Sequence, residues 1–358
     1  MSKEATPHNF GAGPGILPQS VIEKAAQGVL NFNSSGLSIL EISHRSAEFV
    51  EVIETARSLV KELLNVPDGY TVLFLNGGAS LQFTMVPQCF LNTKAAYIET
   101  GVWAQKALKE AKLFGQVDVI ASSADKNFSY IPENIVVPAD ADYVHLCSNN
   151  TIYGTQFKSF PESNIPVICD MSSDIFSRAV DVSKFDLIYA GAQKNMGPAG
   201  TTCVIIKDEM LGKIKAGTPT IMNYKVHAEN ESMFNTPACF AIYVVMLTMQ
   251  WLKELGGVKA IQELNEDKAA LLYAEIDRNT LFTGNVAVAD RSLMNACFTA
   301  TTPELGKSFL KFAEENGIVG IKGHRLSGGY RASLYNALPL SSVQYLVLLM
   351  QHFEKNNS

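Results

Sequence analysis

The 358-residue sequence lacks the features that mark membrane, secreted and nucleic-acid-binding proteins. No apolar run approaches the roughly 20 residues needed to cross a bilayer, so we expect no membrane partner. The formal net charge of -6 argues against a general affinity for nucleic acid. Residues 1–8 are polar and show no secretory signal pattern. These absences predict a cytoplasmic globular protein.

The six cysteines show none of the C-x-x-C spacing of zinc or redox motifs. Most of them stand among apolar residues, so we expect reduced core cysteines that form no disulfides and bind no metal. The sequence also has no internal repeat and no low-complexity linker. Because the chain is acidic as a whole, any site for an anionic ligand must depend on a local cluster of cations.

Short apolar runs alternate with helical patterns through much of the chain, which predicts a mainly parallel α/β sheet covered by helices on both faces. A helix is predicted over 18–30, with Ile22, Ala25, Ala26 and Val29 on one face, and Ser46 is a candidate N-cap for the next helix. The alternation of short apolar runs with helical patterns changes near residue 257. We therefore expect a large domain over 15–256 and a smaller α/β domain over 257–358, on which residues 1–14 pack. The strand patterns fall at 70–75, 95–98, 117–121, 143–147, 165–169, 185–190 and 202–206.

Two consecutive strand patterns lead to side chains of opposite charge. The first stops on Asp170, and the second gives way to small residues followed by Gln193 and Lys194. In an α/β sheet, both charged groups can point into one crevice at the carboxyl edge. A lysine that forms a Schiff base and a carboxylate that keeps a pyridine nitrogen protonated are the groups that pyridoxal phosphate (PLP) needs. Taken singly, however, such an Asp is common and such a Lys is usually a solvated loop charge.

Three further segments allow a functional and a structural interpretation. Residues 76–83 place small residues where a helix would begin, which favours phosphate binding but also suits a plain strand-to-helix turn. Trp103, one of two tryptophans, follows another strand and could stack on a flat ring or pack in the core. Residues 11–15 superficially match a dinucleotide motif. No strand precedes them and Pro14 occupies the tight turn, so we reject a nucleotide site there.

Histidine and arginine are scarce, yet they cluster in two short segments. His44 and Arg45 form one pair, while His324, Arg325 and Arg331 share a glycine-rich stretch. Arginine binds carboxylates and phosphates through two donors at once, and histidine adds a further donor. Two anion sites in one pocket would suit a substrate with a carboxylate at one end and a phosphate or second carboxylate at the other. Surface solvation of these charges accounts for the pattern about equally well.

Together these segments resemble the phosphoserine aminotransferase family, within the class V, fold type I, PLP-dependent aminotransferases, over essentially the whole chain. The Lys–Asp pair marks PLP enzymes broadly, whereas the two His–Arg segments, 41–45 and 323–325, and the segment 331–337 are much more specific. The resemblance also includes 9–14, 76–83, 151–155, 170–173, 191–198 and 235–237. The resemblance implies a large domain with a mainly parallel seven-stranded sheet and a smaller C-terminal α/β domain. It also implies transamination of 3-phosphohydroxypyruvate with glutamate to give O-phosphoserine and 2-oxoglutarate. That reaction belongs to serine biosynthesis, and relatives also act on a phosphorylated intermediate of vitamin B6 synthesis.

The resemblance also implies a role for each candidate residue. Lys194 would bond covalently to the cofactor, and Asp170 would pair with the pyridine nitrogen. Arg331 would hold the substrate α-carboxylate. The two His–Arg pairs, His44 with Arg45 and His324 with Arg325, would hold the phosphate or distal carboxylate, partly across a homodimer interface. The other implied cofactor contacts are Ala79, Ser80, Trp103, Thr151 and Gln193, with Asn235 and Thr236 reaching in from the partner subunit.

Two positions depart from the family pattern, and two alternatives stay open. Some relatives carry Arg where this chain has Ser80, and Ser where it has Ala12, so side-chain contributions there differ.

A cysteine desulfurase of the same fold would share the Lys–Asp pair but needs a thiolate on an exposed loop, whereas Cys297 lies in an apolar run. The second alternative is a non-catalytic α/β protein that binds anions through the same cations.

Overall fold

The computed structural model describes residues 7–357, and its largest element is a seven-stranded sheet. A short strand, β1 (His8–Asn9), precedes this sheet and lies outside it. Each sheet strand forms where the sequence predicts one, and most of these strands are buried along their length. The strands are β2 (Tyr70–Leu75), β3 (Lys94–Glu99), β4 (Gln116–Ser122), β5 (Val144–Cys147), β6 (Val167–Asp170), β7 (Leu187–Gly191) and β8 (Thr202–Lys207).

The strand order of the large sheet is β2-β8-β7-β6-β5-β3-β4. β8 pairs antiparallel with β2 and β7, whereas the pairs from β7 to β4 are all parallel. Crossover connections between parallel strands place helices on both faces of such a sheet. The predicted mainly parallel α/β sheet is confirmed, with β8 as the antiparallel exception.

Helices cover the sheet in two apolar layers. Val72 and Phe74 face one layer, which contains the first, second and seventh helices, and Leu73 and Leu75 face the other. The Ser46 hydroxyl accepts a hydrogen bond from the Phe49 N–H at 3.4 Å, so the predicted N-cap is confirmed. The helices of this part are α1 (Gln19–Leu30), α2 (Ala47–Leu63), α3 (Gly78–Phe90), α4 (Val102–Ala111), α5 (Asp208–Leu211), α6 (Tyr224–Glu229) and α7 (Cys239–Glu254).

The face of α1 predicted from its apolar residues is only partly the buried one. Ala25 is buried and Val29 packs against the core, but Ile22 and Ala26 are exposed. Val21, Ala25 and Gly28 are the buried residues of this helix, whereas Ile22 is 46% exposed. The cause is a close approach, because a Cβ on Gly28 would lie 2.6 Å from Tyr243 Cε1. A helix that packs through a glycine turns a different side toward the core from the one its larger apolar residues indicate.

The C-terminal part builds a second apolar core around a three-stranded sheet of order β12-β10-β9. Its elements are α8 (Gly257–Arg278), β9 (Phe282–Gly284), β10 (Asn295–Ala300), α9 (Pro303–Glu315), β11 (Ile318–Val319), β12 (Tyr330–Ser333) and α10 (Leu340–Asn357). β1 pairs in parallel with β11, and Phe10 is buried in this second core. Val258 and Ile261, at the start of α8, instead belong to the core of the large sheet. The domain boundary at 256/257 stays a prediction, and residues 1–6 lie outside the described part.

Two further features concern the predicted environment of the protein. Within residues 7–357, no helix is both long and apolar enough to cross a membrane. The six cysteines are free thiols, five of them buried and Cys239 partly exposed.

Candidate active site

A cavity of about 340 Å³ lies at the carboxyl ends of β5, β6 and β7. Ligands of open α/β sheets bind at this edge, where successive strand connections diverge. Its wall is built from strand ends, the turn after β7, the first turns of α3 and α4, and two segments distant in sequence. The wall residues include Ala12, Gly13, Gly78, Ala79, Ser80, Trp103, Cys147, Asn149, Thr151, Ile152, Asp170, Ser172, Ser173, Gln193, Lys194, His324 and Arg331.

Asp170 and Lys194 face this cavity together because β6 and β7 are adjacent parallel strands. Asp170 is the last residue of β6, and the chain turns after Gly191 so that Lys194 follows the end of β7. Lys194 Nζ donates a hydrogen bond to Thr151 Oγ1 at 3.1 Å and lies 6.0 Å from the centroid of the Trp103 ring. The structure thus brings the two charged groups into one cavity, while their catalytic roles stay predictions.

Burial changes the pKa values of these two groups in opposite directions. Desolvation lowers the pKa of Lys194, although the Asp170 charge opposes the change. Desolvation raises the pKa of Asp170, against hydrogen bonding from Ser172 and the charge of Lys194, which lower it. The Ser172 N–H donates to Asp170 Oδ1 at 2.8 Å. An amine with a lowered pKa is more often in its free-base form at neutral pH, as a nucleophile or proton acceptor must be.

The N-terminus of α3 opens directly onto the cavity. The first N–H groups of a helix have no intrahelical partner, and here they belong to Gly78, Ala79 and Ser80. Gly77 precedes them with φ of +93°, and a Cβ at this position would lie 2.5 Å from Leu81 Cδ2. Glycine is therefore required for the turn that aims these donors. Together with the positive end of the helix dipole, they can hold a phosphate group.

Trp103 and Thr151 each contact charged side chains at the cavity. The buried Nε1 of Trp103 has no hydrogen-bond partner, and Lys106 Nζ lies 4.3 Å from the centroid of its ring. Thr151 is buried, its hydroxyl accepts from Lys194, and its backbone oxygen accepts from Arg331 Nη1 at 3.1 Å. Thr151 thus contacts both the predicted cofactor lysine and the predicted carboxylate-binding arginine.

The structure brings only two of the five predicted substrate cations into this cavity. Arg331 and His324 line it, and the buried Arg331 Nε has no hydrogen-bond partner. Desolvation, together with the charges of Arg331, Arg325 and Lys106, lowers the pKa of His324. Arg325 follows His324 in the chain but is exposed and does not contribute to the wall.

The other predicted contributors lie outside the cavity of a single subunit. His44 and Arg45 precede α2, where Arg45 is exposed and its Nε lies 3.4 Å from His44 Nε2. Asn235 and Thr236 are exposed as well, and the Thr236 backbone oxygen accepts from Asn76 Nδ2 at 3.0 Å. The roles predicted for these four residues therefore require a second subunit.

The N-terminal segment supplies wall residues that were not predicted. Gly13 and Ala12 line the cavity, and the Gly15 N–H donates to Gln193 O at 2.7 Å. A Cβ on Gly15 would lie 2.8 Å from Tyr335 Cδ2 and 3.0 Å from Lys194 O. The glycines of 11–15 were the available signal, but they suggested only a rejected nucleotide motif. Because these glycines have no side chain, the backbone can pass close to the turn that carries Lys194.

Comparisons with known proteins identify the class. The chain matches the class-V aminotransferase family over residues 8–346, and it belongs to that family. It is 60% identical to the phosphoserine aminotransferase of Flavobacterium psychrophilum over 350 residues, which cover 97% of this chain and 98% of that protein. Within class V, the chain is thus a member of the phosphoserine aminotransferase family, as the motifs predict.

Solved structures agree with this assignment. The fold superposes on the phosphoserine aminotransferase of Bacillus circulans subsp. alkalophilus with a TM-score of 0.97 and 44% identity, covering 99% of this chain and 100% of that one. It superposes on the PLP-bound phosphoserine aminotransferase of Trichomonas vaginalis with a TM-score of 0.92 and 36% identity, covering 96% and 99%. The predicted PLP fold type I is confirmed.

The residues of the cavity fit PLP, the cofactor of this family. Lys194 would bond to its aldehyde carbon, Asp170 would pair with its ring nitrogen, and Trp103 would contact its ring. The donors at the start of α3, with Gln193, would hold its phosphate. The unpartnered Nε1 of Trp103 is consistent with a site shaped for a polar occupant, because buried donors are rarely left unpaired.

No cysteine of the cavity or of the C-terminal core suits a desulfurase. Cys297 is buried in β10, and burial raises the pKa of its thiol to about 12. Cys147 lines the cavity, but burial raises the pKa of that thiol as well. The desulfurase alternative requires an exposed thiolate, which neither residue supplies.

Proposed function

We propose that this protein transfers an amino group from glutamate to 3-phosphohydroxypyruvate, giving O-phosphoserine and 2-oxoglutarate in serine biosynthesis. The observation that carries the proposal is the single cavity in which Lys194, Asp170 and Arg331 converge beside a helix N-terminus. Relatives that are 60% and 58% identical over 97% of the chain are phosphoserine aminotransferases, which supports the same reaction here.

The chain's own residues supply proton transfer and charge control. When bound, PLP provides a ring that accepts electron density from the substrate Cα. Lys194 Nζ would take the proton from the Cα of the amino donor and give it to the aldehyde carbon of the cofactor, and would move a proton in the opposite direction with the oxo-acid acceptor, as its lowered pKa permits. Asp170 keeps a proton on the ring nitrogen, and the Ser172 N–H holds the Asp170 carboxylate in place. Thr151 Oγ1 orients the amine of Lys194.

Substrate selection follows from the distribution of cations. Arg331 binds the α-carboxylate, since its Nε is unpartnered and its Nη1 is fixed by Thr151 O. His324 contributes a donor at the wall, and Arg325 adjoins it. Because a doubly charged phosphate needs more than one cation, we infer that His44 and Arg45 of a second subunit complete the distal site.

We further infer that the protein acts as a cytoplasmic homodimer. The four predicted contributors outside the cavity support a second copy, since Arg45 and Thr236 are exposed in a single subunit. Large apolar side chains in the segment that precedes the His–Arg pair are also exposed, with Leu30 at 77% and Leu40 at 63%. An interface with a second copy would cover such side chains.

A screen of amino acceptors tests the proposed reaction. With glutamate as donor, we expect kcat/KM for 3-phosphohydroxypyruvate to exceed that for unphosphorylated hydroxypyruvate by about one to two decades. Charge-assisted contacts to the phosphate, worth about 1.5–3 kcal/mol, account for that difference. The Arg45→Ala variant should lose most of this preference while keeping the slower turnover of hydroxypyruvate. Equal turnover of both acceptors by the parent protein would contradict the proposal.

A further inference from the structure

Residues 334–336 connect β12, which carries Arg331, to the rest of the cavity. Leu334, Tyr335 and Asn336 are all buried. The Tyr335 hydroxyl donates to Ala12 O at 2.8 Å, and Ala12 belongs to the cavity wall. This segment therefore contacts the wall from behind, without facing the cavity itself.

Asn336 contacts the turn that carries Lys194 and the segment that follows Asp170. Its backbone N–H donates to Asn195 Oδ1 at 3.0 Å, and Asn195 directly follows Lys194. Its Nδ2 donates to Phe176 O at 2.9 Å, in the segment that follows Asp170. Asn195 Nδ2 in turn donates to Ile175 O at 3.1 Å. These bonds link the Lys194 turn, the segment after Asp170 and the end of β12.

Two residues of α8 hold the same segment from the opposite side. Lys268 Nζ donates to Leu334 O at 3.0 Å and to Tyr335 O at 2.9 Å. Asn265 Nδ2 donates to Asn336 Oδ1 and to Ser177 O, each at 2.9 Å. Because these polar groups are buried, moving the segment would leave several of them unpaired at once, which is costly.

We propose that Asn336 is a positioning residue that fixes Arg331 relative to the turn carrying Lys194 and the segment that follows Asp170. The inference rests on the proposed function of the cavity, because it concerns the spacing between the carboxylate-binding group and the proton-transfer group. Arg331 is also connected to Lys194 through Thr151, which accepts a hydrogen bond from each of them. Misplacing reacting groups by about 1 Å can cost up to about a hundredfold in rate.

The test compares Asn336→Ala with a matched control, Asn279→Ala, in the PLP-loaded protein. Asn279 is also buried, and its side chain donates to Glu275 Oε1 at 2.8 Å and accepts from the Leu281 N–H at 2.9 Å, outside the cavity wall. We expect both variants to lose similar thermal stability. Only Asn336→Ala should lose kcat/KM, by about tenfold or more.

A second readout does not depend on turnover. Borohydride fixes the cofactor to Lys194, and mass spectrometry measures the rate of fixation in each variant. We expect this rate to change in Asn336→Ala, because the Lys194 turn shifts, and to match the parent in Asn279→Ala. If the parent lacks activity toward phosphorylated substrates, the proposed function fails, whereas the fixation rates still decide the positioning role.

Asn195→Ala removes a different contact of the same network, because Asn195 Oδ1 accepts from the Asn336 backbone N–H, which Asn336→Ala leaves in place. Because the two side chains belong to one buried hydrogen-bond network, we expect the loss of kcat/KM in the double variant to be smaller than the product of the two single losses. Should Asn336→Ala fail to fold, Asn195→Ala takes its place in the comparison with Asn279→Ala. Equal kcat/KM and equal fixation rates in the test and control variants would overturn the inference, as would fully multiplicative losses in the double variant.

Discussion

At the scale of single residues, the charges of the cavity are set by how they are buried and what they face. Lys194 and His324 both have lowered pKa values, and desolvation is the first cause in each case. For Lys194 the nearby Asp170 opposes this change, whereas for His324 the neighbouring charges are all positive and reinforce it. Lys106, whose ammonium lies over the Trp103 ring, is one of these cations.

Replacement of Lys106 should therefore raise the pKa of His324. We expect Lys106→Met to move the titration of His324 upward, toward its ordinary range, since one repelling cation is gone. NMR of the imidazole protons across pH 5–8 measures the shift. Lys109→Met is the control, because Lys109 is exposed on the same helix and is not among the charges that act on His324. The same His324 pKa in both variants would show that the charge of Lys106 does not lower the pKa of His324.

The residue scale also shows where the sequence was sufficient. Asp170 and Lys194 were predictable because strand patterns are local and parallel strands bring their ends to one edge. Ser172 and Asn336 were not predicted, because their importance lies in contacts with segments that are distant in sequence or in a backbone N–H that any residue carries. His44 and Arg45 were found from their residue types alone, and their place at the site depends on a second subunit.

At the scale of elements, α8 contributes more than apolar packing. Its Lys268 is 1% exposed and donates to two backbone oxygens beyond β12. Burial lowers the pKa of this amine to about 7 from its ordinary value of 10.5. Between these two pH values the unfolded chain binds one more proton at this site than the folded chain, so stability rises with pH across the window. Below about pH 7 the amine is protonated in both states, so its destabilising effect is largest there and no longer changes with pH.

Lys268→Met should remove this part of the pH dependence. As pH rises from about 7 toward 10, we expect the midpoint temperature of unfolding of the parent to increase relative to that of the variant. Lys259→Met, an exposed substitution on the same helix, should follow the parent at every pH. Thermal unfolding of the three proteins at matched ionic strength makes the comparison. Parallel curves for the parent and Lys268→Met would contradict the lowered pKa.

Element boundaries were largely predictable, and the exceptions have physical causes. β2 lies at the predicted residues, and β5 to β8 shift by two residues or fewer at each end, because buried strands are short apolar runs. The predicted face of α1 was only partly right because Gly28 packs against Tyr243, and a glycine contributes nothing to an apolar pattern. β1 and β11 are two residues long, and their pairing joins segments about 310 residues apart, so no local pattern could indicate them.

At the scale of the whole molecule, the cations proposed to bind the phosphate do not all meet in the cavity of one subunit. Arg331 and His324 line it, while Arg45 lies elsewhere on the surface. If a second copy supplies Arg45, two defective subunits can complement each other. A heterodimer of Lys194→Ala with Arg45→Ala contains one site with both defects and one site with neither.

Mixed subunits should therefore recover activity. We expect co-refolded Lys194→Ala and Arg45→Ala proteins to regain phosphoserine formation well above either variant alone. Lys194→Ala mixed with Arg331→Ala is the control, because these residues line the same cavity of one subunit. That mixture leaves one defect in each site, so it should show no recovery. With heterodimer formation verified by native mass spectrometry, equal behaviour of the two mixtures would contradict the supply of Arg45 by the second subunit.

The most direct test of the account is the identity of the residue that bonds to the cofactor. Borohydride reduction of the PLP-loaded protein, followed by peptide mass spectrometry, should place the cofactor on Lys194 and leave the other lysines unlabelled. The Lys194→Ala variant should carry no reduced cofactor and be colourless beside a yellow parent. A label on a different lysine, or equal labelling of the variant, would contradict the claim that Lys194 and Asp170 hold one cofactor between them.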